Sequence, residues 1–154
     1  MKDSKKLRIK MGLYVLFLAV ISVSIILMPF TVDDYAIIPI WVSGLLFWLG
    51  FVGVIVTVMM INKIRKKDTS FRKKRRRLKQ LGLTHFFQNK PAVVFDLIMF
   101  GSIVSFILIS LMVNIKLFQF ICLSIFVFSF GMHCMLNGVN YIYINYTVRS
   151  SVSK

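Results

Sequence analysis

Asp96 and His133 are the ionisable residues set deepest in the last two apolar runs of the chain. Those runs turn back on each other near residues 115–116, so antiparallel pairing sets Asp96 level with about Met135, within half a turn of both His133 and Asn137. Ser129, His133, Asn137 and Asn140 recur at i, i+4, i+8 and i+11, which is one helical face, while Gly131 and Gly138 fall on another. A carboxylate beside an imidazole inside a membrane span is suited to handling a proton or a cation, and such groups often mark pathways. The competing reading is structural. Asp96 lies about one and a half turns from Pro91, shallow enough to meet water or Lys90, and His133 is then a neutral packing residue beside Asn137.

Other chemistry finds little material. All five acidic residues are aspartates (Asp3, Asp33, Asp34, Asp68 and Asp96), so paired-glutamate or Glu-His hydrolase sets cannot be assembled. The chain has no HExxH segment, no glycine-rich phosphate loop, and no Ser/His/Asp or Cys/His set with an orienting partner. Cys122 and Cys134 would stand about 18 Å apart along one helix, too far to bridge. A zinc site would need more ligands than His85, His133, Asp96 and two such cysteines can bring together. No metal, cofactor or enzymatic activity is expected.

The elements that would carry these residues are membrane spans. The chain has 154 residues, of which 58% are hydrophobic, and its mean hydropathy of +0.80 is outside the range of a soluble domain. Uncharged runs place spans at about residues 9–30, 37–62, 91–114 and 117–140. The first follows a basic start and is longer than a signal-peptide core, with no small-residue cleavage site before Thr31, so it reads as retained. Pro29 ends it, Pro39 and Pro91 suit early helical turns, and Trp41 lies at an aromatic belt. Tyr141, Tyr143 and Tyr146 suit the opposite interface. Of the 20 Lys and Arg, all but Lys116 fall on one side of this layout, which makes that side cytoplasmic and puts both termini there. The expected fold is a single all-α domain: a four-helix transmembrane bundle with a basic connector over residues 63–90.

Within the connector, Asp68, Thr69 and Ser70 offer a helix start and Gly82 a stop, with Phe71, Leu78 and Leu81 at helical spacing between them. This describes an amphipathic helix lying on the inner leaflet. Arg72, Lys73, Lys74, Arg75, Arg76, Arg77 and Lys79 would face anionic headgroups of the lipid bilayer. The same charge enforces topology by itself. A net charge of +15 also raises nucleic acid as a partner, but basic cytoplasmic loops account for it, and nucleic acid is not expected.

Small residues repeat every seven positions: Gly12 and Ala19; Ser43, Gly50 and Thr57; Ser124, Gly131 and Gly138. The third span adds Gly101 and Ser105. In lipid such positions let helices approach closely, here as a left-handed near-parallel bundle, with partners in the same chain or another. The segment Met132-His133-Cys134-Met135-Leu136-Asn137-Gly138-Val139-Asn140-Tyr141 resembles the M-H-x-x-L-N-G-x-N-Y ending of small four-span proteins in Gram-positive gut bacteria. The resemblance carries no activity. It implies that His133, Asn137, Gly138 and Asn140 are the characteristic part of the chain.

Together these features describe a non-enzymatic accessory or interaction protein that packs beside a larger membrane partner or forms a homo-oligomer. Transport, secretion and immunity roles all fit. The alternative is a small oligomeric cation- or proton-coupled transporter or channel using Asp96 and His133, although four-span exporters usually carry a more central carboxylate.

Overall fold

The computed structural model describes residues 2–32, 38–66, 90–112 and 115–137. They form helix α1 (Lys2–Leu27), a short α2 (Pro29–Val32), α3 (Ile40–Lys66), α4 (Lys90–Met112) and α5 (Lys116–Asn137). Of the connector expected over residues 63–90, residues 63–66 continue α3 and Lys90 opens α4; residues 67–89, with the expected amphipathic helix and all seven cations of the lipid-facing set, lie outside the described residues, as do Gly138, Asn140 and the three tyrosines near the C-terminus.

Four of these helices contain stretches of 22, 25, 22 and 21 residues long and apolar enough to cross a bilayer. The chain is therefore an integral, multi-pass helical membrane protein. Helix is the form such segments must take, because lipid leaves main-chain N–H and C=O groups no partners but each other. The hydroxyls obey the same demand. Ser22, Ser24, Ser43, Thr57 and Ser102 each donate to a main-chain oxygen three or four residues earlier, at 2.6–3.1 Å. Pro29 marks the break after α1, with Met28 in the turn, and Pro39 stands just before α3, its oxygen accepting from Val42 N at 2.9 Å. Pro91 occupies the first turn of α4, where its missing N–H costs nothing.

The helices associate in the order α3, α1, α5, α4. α1 packs on both α3 and α5, while α4 packs on α5, and α2 touches α1, α3 and α5. The first and last spans are thus central, and the second and third are the outer members. The core lies between α1 and α5, where Tyr14, Leu18 and Met135 are buried and Met11, Val15, Phe128 and Met132 pack around them. Large apolar side chains cover the outside, as lipid requires: Trp41 and Trp48 on α3 are 62% and 61% exposed.

Some of the small-residue series make the seams. On α3, Ser43, Gly50 and Thr57 are all buried, and Gly53, outside the seven-residue series, is buried with them. A β-carbon on Gly50 would lie 2.9 Å from Phe17 O and 3.0 Å from Ile21 N, and one on Gly53 would run into the Phe17 ring. On α5, Ser124 and Gly131 face α1: Ser124 Oγ donates to Ser22 O at 2.9 Å, and a β-carbon on Gly131 would sit 2.5 Å from Leu18 Cδ1. The other two series do not make seams of this kind. Gly12 and Gly101 are exposed with no atom near enough to meet a β-carbon, Ser105 is exposed, and Ala19 is half-buried. A glycine can also stand on a lipid-facing surface, so small size alone does not identify a contact face.

Candidate functional site

α4 and α5 form the second hairpin, joined through residues 113–115. Their packing follows from Ala92 and Ser102, both buried, and from Phe95, whose ring lies 6.4 Å from that of Phe128. The short connection fixes the antiparallel register and brings Asp96 to His133. His133 Nδ1 and Asp96 Oδ1 are hydrogen-bonded to each other. The expected level match between the two residues is realised as a direct contact.

The pair sits at the rim of the seam rather than within it, with side-chain exposures of 28% for His133 and 35% for Asp96. Its depth follows from helix geometry. Asp96 is six residues past Lys90, about 9 Å of rise, so it lies within one leaflet and not at mid-membrane. An imidazole and a carboxyl group thus share a hydrogen bond inside a span, where ionisable groups are costly and often mark function.

The remaining expected members are placed unevenly. Ser129, one turn before His133 on the same face of α5, is 1% exposed. Asn137 closes α5, but its side chain and the whole of Asn140 fall outside what is described. On α5, Ser124 and Gly131 serve α1, and His133 serves α4. Of the cysteines, Cys122 is buried as a packing residue, whereas Cys134 is exposed. Among the described residues, no three His, Cys, Asp or Glu side chains gather where they could hold a metal ion.

Sequence reasoning passed over Tyr14. Its hydroxyl donates to Gly131 O at 3.0 Å across the α1/α5 seam, two residues from His133. A tyrosine flanked by apolar residues in a span gives one signal, a hydroxyl that hydrocarbon cannot satisfy.

No family model matches the chain, and no curated protein or solved structure matches it.

Proposed function

We propose that the protein is a non-enzymatic interaction subunit that packs beside a larger membrane protein, in an assembly of the transport, secretion or immunity type. In this reading both termini and the basic connector lie on the cytoplasmic side, since all but one of the 20 Lys and Arg would then be inside. The observation that carries the reading is the helix order. An outer helix held on one side only leaves most of its surface for another molecule. On α4 that open surface includes Gly101 and Ser105, one turn apart, where a partner helix could approach the main chain closely.

Purification of the tagged protein in mild detergent at native expression level, read by mass spectrometry and native mass, tests this. A larger membrane protein recovered in stoichiometric amount is the expected result. Recovery as a homo-oligomer with no partner would remove the reading and favour the second one.

That second reading is a small oligomeric cation- or proton-coupled transporter or channel. The contact of His133 with Asp96 favours it, because the pair offers a proton site within a span. Its test is a proton or potassium leak through proteoliposomes containing the purified protein, with Asp96→Asn as the control. A leak that Asp96→Asn leaves unchanged would count against this pair as its route.

A further inference from the structure

We propose that the seam between α1 and α3, at the end carrying Lys6, Lys10 and Lys63, binds the phosphate of one anionic phospholipid. This proposal uses none of the seven cations between residues 72 and 79 and does not depend on the function proposed above. The geometry begins with Lys10, whose Nζ lies 3.1 Å from Met60 Sδ on the facing helix. A thioether is a weak acceptor and carries no charge, so this contact orients the ammonium across the seam without neutralising it.

The next turn repeats the arrangement. α1 and α3 are antiparallel, with Phe17 against Gly53 and Lys10 against Met60. Moving one turn toward the same end, Lys6 lies four residues before Lys10 and Lys63 three residues after Met60, which brings these two lysines level across the seam. Both are exposed, while Leu7 and Ile61 beside them are 6% and 3% exposed and form an apolar floor. Lys6, Lys10 and Lys63 therefore stand on neighbouring turns along one narrow apolar seam. Asp96 is on α4, at the far edge of the helix order, and is engaged by His133, while the first ten residues of the chain carry five Lys and Arg against Asp3 alone, so this end stays strongly positive.

Like charges held in register at the edge of a low-dielectric layer repel, and an anion between them reverses the sign of that interaction. A phospholipid phosphate is such an anion at this depth, since these lysines stand where the apolar stretches of α1 and α3 end. Its acyl chains would lie along the exposed apolar side chains of α3. A free phosphate offers the same charge without that apolar contact.

The test is native mass spectrometry of the full chain carried in detergent with equal phosphatidylglycerol and phosphatidylcholine. Wild type is expected to retain one phosphatidylglycerol preferentially. Lys63→Gln alone should lower that preference about fivefold, and the Lys6→Gln/Lys10→Gln/Lys63→Gln variant should abolish it. Neutralising the seven cations between residues 72 and 79 should leave it in place. The single substitution is at an exposed position, and circular dichroism checks that each variant keeps its helices. Equal retention of the two lipids by wild type would overturn the proposal, as would retention unchanged in the triple variant or lost with the connector cations. Displacement of the lipid by millimolar inorganic phosphate would instead assign the site to the free anion and overturn the lipid assignment.

Discussion

The hydroxyl of Tyr14 on α1 donates to the main-chain oxygen of Gly131 on α5 at 3.0 Å, and so ties the first hairpin of the chain to the second. α1 and α5 are the only long helices that join the two hairpins through an extensive seam among the described elements. Most of the described contact between the two hairpins passes through that seam. Gly131 makes the approach possible by lacking a β-carbon, and its oxygen then accepts the hydroxyl that the approach brings within reach.

Tyr14→Phe removes one hydrogen bond while keeping the ring in place. In a bilayer-type environment the expected loss is about 0.6 kcal/mol and at most about 1.7 kcal/mol. Ser124→Ala, which removes the bond to Ser22 O, should cost a similar amount. Both can be read from reversible unfolding of the full chain in mixed micelles, followed by helicity. If neither variant shifts the midpoint, the seam is held by apolar packing alone.

Glycine substitutions should separate by what a new methyl group meets. At Gly50 it meets Phe17 O and Ile21 N, which are main-chain atoms and cannot step aside. Gly50→Ala should therefore cost about 1–3 kcal/mol and force α3 away from α1. At Gly131 the obstacle is the far end of Leu18, which can change rotamer, so Gly131→Ala should cost less, about 0.5–1.5 kcal/mol. Gly12→Ala and Gly101→Ala meet nothing within the chain and should leave the stability of the isolated protein unchanged or slightly higher. The same micelle unfolding assay ranks all four. A Gly101→Ala variant that is stable alone but fails to recover a partner would locate the interface on α4.

How legible this arrangement was in the sequence depended on the kind of constraint. Asp96 and His133 were placed together because a short turn fixes the register of a hairpin, and helical spacing then fixes which residues share a face. Four spans were legible because hydrocarbon thickness sets their length. The helix order was not. In a soluble bundle the apolar stripe tells which face is inside, but in lipid both faces are apolar, and the pattern that would point inward is absent. That is why Gly12 and Gly101 looked equivalent to Gly50, and why Gly53 and Tyr14 went unremarked. Leu18 and Phe17 decide between them, and those partners are visible only in three dimensions.

The Asp96–His133 contact yields the most discriminating energetic test. If the pair holds α4 to α5, the loss from Asp96→Ala should not add to the loss from His133→Ala. Once one partner is gone, removing the other gives up nothing further from the contact. The expected coupling in a double-mutant cycle is about 0.6–1.7 kcal/mol. Asp96→Asn keeps an acceptor for His133 Nδ1 while removing the carboxylate charge, so it separates hydrogen bonding from ion pairing. Stability near wild type for Asp96→Asn would show that the hydrogen bond is the structural element. A loss approaching that of Asp96→Ala would show that the charge is required. Additive single losses would mean that the contact contributes nothing to the fold. Two ionisable groups kept at a cost within a leaflet, with no structural return, would then be the strongest reason to measure proton or cation movement through this protein.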